Sequence, residues 1–285
     1  VDVTPNCGNM LAGVAPFALE HGLIPATDGQ TTVRVHMVNS NNMCDVHIQT
    51  PGGTVIYDGD ARIDGSPGTS APVLIDFLDT AGSACGSLLP TGNVVDIVDG
   101  VEITCIDNGM PVVILRAADV GATGYETRDE MNAADDLKKR IESIRLQIGE
   151  AMNLGDVGEK VVPKMCLVSP PAAGGTINTR CFIPHVCHAS IGVLAAVTVG
   201  TACVLPGSTA YEMAEVADGE PKMISVEHPS GEFSVELETG PPENGIPQIK
   251  RAALLRTTRR LMEGNAFVPA AVWDGTSGLL ADAAE

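Results

Sequence analysis

The sequence predicts an α+β fold of two pseudo-symmetric domains, each a curled, mostly antiparallel sheet around one central helix. Three observations carry this expectation. An apolar helix is expected from about Gly8 to His21, entered through Asn6-Cys7-Gly8-Asn9. A second, built of small apolar residues through Val193, Leu194, Ala196, Val197 and Val199, is entered through His188-Ala189-Ser190. Around both lie short alternating or apolar runs separated by Gly, Pro and Asn turns, a pattern of strands.

In the first helix, Pro5 and Asn6 stop an incoming strand, and Asn6 is a suitable N-cap. Met10, Leu11, Val14, Phe17 and Ala18 follow the rhythm of a buried helical face, and Gly22 is the C-terminal stop. The first amide N–H groups have no partner inside the helix. With the helix dipole they favour a thiolate or a bound carboxylate at Cys7, Gly8 and Asn9. Gly8 permits close approach of a ligand to the backbone. A lone cysteine at a helix start is ordinarily a small packed residue. Here four polar or permissive residues stand where a core would place aliphatics, so the functional reading is favoured.

Thr32 to Val38 is the next expected strand, followed by a hairpin of Asp45 to Gln49 and Val55 to Tyr57 across Pro51-Gly52-Gly53. Ala71 to Leu78 returns as a strand. Leu88 to Asn93 is the expected domain boundary, so that 1–90 form a first domain completed by 248–269, 91–247 a second, and 270–285 a loose tail. Val101 to Cys105 and Val112 to Leu115 flank a turn that carries Asn108. A single amphipathic helix is expected from about Arg128 to Met152, with Leu137, Ile141, Ile144 and Ile148 inward. Lys164 to Val168 and Thr176 to Ile183 are strands. Arg251 to Leu261 reads as an edge strand whose arginines form a basic island. Arg256 could meet a substrate carboxylate, but a solvated edge is the favoured reading. The opening Val1-Asp2-Val3-Thr4 reads as the tail of a strand whose partners lie upstream.

Composition narrows the function classes. Of 285 residues, 44% are hydrophobic and only 3% aromatic, which suits real cores but not a base-stacking surface. The net charge of −19 argues against nucleic acid as a partner, so an anionic ligand needs a local site such as a helix N-terminus. Eight cysteines lie scattered without metal-ligand spacing and read as reduced thiols in a cytoplasmic protein; no apolar run reaches membrane-spanning length. His185 and His188 lack a third ligand of suitable spacing, so no metal is expected. The two helix mouths echo each other: each offers an acid/base side chain (Cys7, His188), a small residue, and a hydrogen-bonding side chain (Asn9, Ser190). Facing one cleft, they would hold a small polyanion between two proton-transferring groups, Cys7 and His188.

Asn6-Cys7-Gly8-Asn9-Met10-Leu11-Ala12-Gly13-Val14, Arg62-Ile63-Asp64-Gly65, Leu89-Pro90-Thr91-Gly92-Asn93, Thr104-Cys105-Ile106-Asp107-Asn108-Gly109-Met110-Pro111, Met152-Asn153-Leu154-Gly155-Asp156-Val157, His188-Ala189-Ser190-Ile191-Gly192 and His228-Pro229-Ser230-Gly231-Glu232-Phe233 together resemble the 4-oxalomesaconate tautomerases. These belong to the methylaconitate-isomerase group with the diaminopimelate epimerase fold. The resemblance runs in order along nearly all of the chain. It implies a cofactor-free isomerase of gallate or protocatechuate 4,5-cleavage catabolism, acting on a small tricarboxylic keto-acid. It places Cys7 on the family's catalytic cysteine. His188 stands where the epimerases of this fold have a second cysteine, so a symmetric two-thiol mechanism is not implied. In the allylic isomerases the partner base is a lysine upstream of the cysteine motif, in a segment outside this sequence. Asn6, Gly8, Asn9, Met10, Asn108, Ala189, Ser190 and Ser230 are the expected substrate contacts. Two alternatives stay open: a 2-methylaconitate isomerase or another small-polyacid epimerase of the same fold, and a non-catalytic binding protein using the same cleft. A homodimer is a candidate assembly; no membrane partner is expected.

Overall fold

Alternation of apolar and polar residues builds the first hairpin. Strands β1 (Gly29–Met37) and β2 (Asn42–Thr50) pair antiparallel, turning Val33, Met37, Cys44, Val46 and Ile48 inward, while Arg34 and Asp45 meet outside at 2.7 Å. In the computed structural model, the described residues are 8–38, 41–78, 80–243, 246–265 and 267–273. Val1 to Cys7 and 274–285 of the tail lie outside them, as do the expectations placed there.

The strands join in one curled sheet. Continuing from β2 are β3 (Pro72–Leu78), β4 (Asp96–Val98), β5 (Val101–Asp107), β6 (Pro111–Arg116), β7 (Lys164–Ser169), β8 (Ile177–Phe182), β9 (Lys222–His228), β10 (Gly231–Glu243) and β11 (Ile246–Thr257). Their order in space is β1-β2-β3-β11-β10-β9-β8-β7-β6-β5-β4. All neighbours are antiparallel except β6–β7 and β8–β9. The last strand therefore lies between β3 and β10, and the edge-strand expectation for it is corrected. Arg251 is no free surface cation: its guanidinium bridges Asp76 on β3, at 2.7 and 2.9 Å, and Glu236 on β10.

Each half of the sheet holds one helix. Helix α1 (Gly8–Glu20) packs on β1, β2, β3 and β11, whereas the later α4 (Val193–Cys203), wholly buried, packs on β5, β6, β9 and β10. Their side chains share one core. Strands β5 to β7 are covered on both sides, so they read as continuous apolar runs. Ile106, Ile114 and Cys166 face the core with α4, and Cys105, Leu115 and Met165 face α2 (Arg128–Ala133) and α3 (Asp135–Ile148). Among the described residues no helix is long and apolar enough to cross a membrane.

Three local expectations are corrected. The buried face of α1 is Leu11, Ala12, Ala15, Ala18 and Leu19, while Met10 is 73% and Phe17 56% exposed. Both stripes are apolar, so periodicity alone does not choose between them. Val55 to Tyr57 forms no strand; Pro51–Gly53 is a 3-10 turn, with Gly52 at φ 63° and Gly53 at φ 76°, and β2 takes β1 as its hairpin partner. The single helix expected over 128–152 divides at Ala134 (φ −81°, ψ 74°) into α2, entered through a complete capping box of Thr127 and Glu130, and α3, which ends at Ile148.

Candidate active site

The helix N-termini meet because one of them starts with glycine. A Cβ on Gly8 would lie 2.7 Å from the Cβ of Val193, the first residue of α4, so only glycine permits this approach. Gly8 is thus needed for the approach of α1 to the Val193 side chain. At the mouth of α4, Gly192 is extended (φ −65°, ψ 142°) and no side chain caps the helix. That end presents amide donors and a positive dipole to whatever lies before it.

A cavity of about 500 Å³ lies there, lined by Asn9, His188, Ser190 and Ser230, and also by Asp64, His228, Glu232, Phe233 and Arg256. The loop between β8 and α4 positions His188, whose amide donates to Cys181 O at 2.8 Å. The Ser190 N–H donates to His188 Nδ1 at 2.9 Å, which puts the proton of the neutral ring on Nε2. The tight turn after β9 repeats this pattern. Ser230 N–H donates to His228 Nδ1 at 3.3 Å, so His228 Nε2–H donates to Ser190 Oγ at 3.0 Å, leaving the Ser190 hydroxyl proton for the cavity. Ser230 Oγ donates to Ala189 O at 2.7 Å, tying the two turns together. Burial, aided by the positive charges of Lys164 and Arg128, holds His188 below the ordinary 6.5; burial likewise lowers His228. Both rings are neutral at pH 7.

The acidic side chains of the cavity are engaged away from its centre. Asp64 Oδ2 accepts the Glu232 amide at 3.1 Å, and Glu232 takes the hydroxyls of Ser225 and Ser234. Arg256 differs. It is 8% exposed, its guanidinium lies 3.8 Å over the Phe233 ring, Nη1 donates to Leu255 O at 3.0 Å, and Nε has no partner among the described residues. Burial lowers it to about 10, which leaves it a cation at neutral pH.

A second cavity of about 650 Å³ adjoins across Asp64, His228 and Glu232, and its main charged groups already hold protein partners. The amides of Ala172, Ala173 and Gly175 grip the Glu227 carboxylate at 2.7 to 2.8 Å, and Arg180 donates to Glu126 O, Asn178 Oδ1 and Thr179 O. The first cavity, with donors to spare, is the better anion site.

Of the residues singled out in the sequence, Asn9, His188, Ser190 and Ser230 share this cavity, and Ala189 contributes the carbonyl that fixes Ser230. Met10 points to solvent instead. Asn108 is buried elsewhere: its Oδ1 accepts from Thr80 Oγ1 at 2.6 Å and its Nδ2 donates to Thr201 Oγ1 at 2.8 Å, a tie between the β5–β6 turn and the body of α4. Asn6 and Cys7 lie outside the described residues. Sequence reasoning passed over His228 as a site residue and preferred a solvated Arg256. Strand parity is the signal that points to the arginine, since Ala252 and Leu254, four and two residues before it on β11, face the shared core. Among the described residues no cluster of three or more His, Cys, Asp or Glu side chains is arranged for a metal ion.

Comparison with known proteins follows the same line. The PrpF protein family model matches residues 1–269. A (4E)-oxalomesaconate Delta-isomerase of Novosphingobium sp. is 56% identical over 92% of this chain and 72% of its own length. A 4-oxalomesaconate tautomerase of Pseudomonas putida is 53% identical over 96% of this chain and 75% of its own. The crystal structure of a methylitaconate-delta-isomerase superposes with a TM-score of 0.81 at 31% identity, covering 93% of this chain and 73% of that one. Curled sheet, paired helix mouths and sequence agree, and this chain belongs to the PrpF protein family.

Proposed function

We propose that this chain is an isomerase of 4-oxalomesaconate that needs no cofactor, moving a proton within a keto-tricarboxylate bound at the α4 mouth. The observation that carries the reading is the 56% and 53% identity, across more than nine-tenths of the chain, to proteins named for that substrate. A methylitaconate isomerase stands at 31%.

In the reaction, a C–H bond next to a conjugated carbonyl breaks, its electron pair passes into a dienolate with charge on oxygen, and a proton returns elsewhere on the same molecule. The donors at the cavity suit that charge. His188 Nε2–H and the Ser190 hydroxyl are preorganised, and the amide groups opening α4 add a dipole; one such donor contributes on the order of 3 kcal/mol to barrier lowering. His188 serves here as an orienting donor. Its Nδ1 is occupied by an amide N–H, so accepting a proton there would break that bond, and losing the Nε2 proton would leave an imidazolate. Cys7, which precedes Gly8 in sequence, is the proton carrier we assign to the α1 side, with Asn9 beside the substrate. The setting we propose is the cytoplasm, supported by seven buried free thiols among the described residues.

The test compares turnover of 4-oxalomesaconate and 2-methylaconitate by one preparation, followed by ultraviolet absorbance. Preference for the former by at least tenfold in kcat/KM is expected; the reverse preference overturns the substrate assignment.

A further inference from the structure

We propose that Arg256 is the anchor for one carboxylate of the substrate, received in the pocket between the Phe233 ring and the mouth of α4. The inference rests on the reading of this cavity as a polycarboxylate site, and it adds the group that neutralises the ligand.

The argument starts from an imbalance of charge. Arg256 is more than nine-tenths buried and lines the cavity, and among the described residues its only hydrogen bond is to the carbonyl of its neighbour Leu255. Its Nε is buried with no partner. A desolvated cation is costly unless an anion completes it. The carboxylates that could do so are turned elsewhere: Asp64 toward the Glu232 amide, Glu232 toward Ser225 and Ser234. Arg251, five residues earlier on the same strand, shows the contrast, with Asp76 and Glu236 satisfying its guanidinium. What holds Arg256 in place is the face of Phe233, a contact that fixes the plane of the fork and leaves its in-plane edge for a ligand. Near the end of β11 the Arg256 backbone is held in the sheet, paired in register with Val73 two residues after the buried Leu254. A planar fork with a free edge matches a carboxylate in bidentate geometry.

Tricarballylate, propane-1,2,3-tricarboxylate, is the probe: it has three carboxylates and no double bond to move, so it reports binding alone. Calorimetric binding and competitive inhibition are measured for the wild type, Arg256→Met and Arg256→Lys, with turnover of 4-oxalomesaconate alongside. Arg256→Met is expected to weaken tricarballylate binding and raise KM by about 10²-fold or more, with a smaller fall in kcat. Arg256→Lys, which keeps the charge but not the fork, is expected to recover part of the loss with an unchanged circular dichroism spectrum. Should Arg256→Met not fold, Arg256→Lys decides by itself: binding weakened about tenfold supports the anchor, and unchanged binding overturns it. Equal binding by all three proteins, or no binding by the wild type, likewise overturns it. A wild type that binds tricarballylate through Arg256 yet does not turn over 4-oxalomesaconate would instead overturn the substrate reading and leave the anchor standing.

Discussion

Gly8 at the start of α1 and Val193 at the start of α4 approach so closely that a Cβ on Gly8 would stand 2.7 Å from the Val193 Cβ. In an ordinary helix, alanine would be better than glycine by up to 1 kcal/mol or so. Here Gly8→Ala is expected to cost about 1–3 kcal/mol by overpacking, seen as a lower denaturant midpoint, and to reduce turnover by spreading the two helix mouths. Adding Val193→Ala should recover most of the loss in midpoint; an unchanged midpoint in the single variant would mean that the two ends are not in contact.

Asn108 tests the separation of scaffold from site. Asn108→Ala leaves the buried Thr80 hydroxyl without its acceptor and takes one donor from Thr201 Oγ1, which keeps its bond to Val197 O, an expected loss of about 1–3 kcal/mol. Because Asn108 is not at the cavity, KM for the substrate should stay within twofold in the folded variant. A large rise in KM with normal thermal stability would return Asn108 to the substrate.

The helices and most strands were legible in the sequence because their periodicity is driven by burial. Asn9, His188 and Ser190, which line one cavity, are legible because the two polar helix entries echo each other, whereas Ser230, in the turn after β9, is marked only by the family resemblance. Other features were hidden for physical reasons. Both faces of α1 are apolar, so Met10 and Phe17 looked as buried as Leu11 and Ala15. The edge reading of Arg251 to Leu261 followed from counting charges, although Ala252 and Leu254 share the inward parity of Arg256. The tautomer chain through Ser190 and His228 joins residues 38 apart and has no local signature.

His188 is expected to orient rather than to carry protons. His188→Asn keeps a donor but loses the imidazole, and should raise KM more than it lowers kcat. Steady-state kinetics on the folded variant decide this: a collapse of kcat at constant KM would make His188 a proton carrier.

Protonation of the two histidines sets an acid limit. Both fold with values below the ordinary 6.5, so the unfolded chain binds more protons in this range. Their contribution to stability is fully present above about 6.5 and is lost as pH falls below it toward the folded values. Melting temperatures measured from pH 8 to 5 should begin to fall near 6.5, and less steeply in a His188→Asn, His228→Asn double variant. Identical profiles would show that neither ring is held neutral by the fold.

Proton transfer at carbon is the centre of the account, and solvent deuterium incorporation reads it most directly. With 4-oxalomesaconate in deuterium oxide, nuclear magnetic resonance should show isomerised product carrying deuterium at the exchanged carbon. Folded Cys7→Ser protein should slow this by a factor of roughly 10²–10⁴. Binding of the acid by the wild type with neither isomerisation nor deuterium uptake, or uptake at the wild-type rate in Cys7→Ser, would contradict the account.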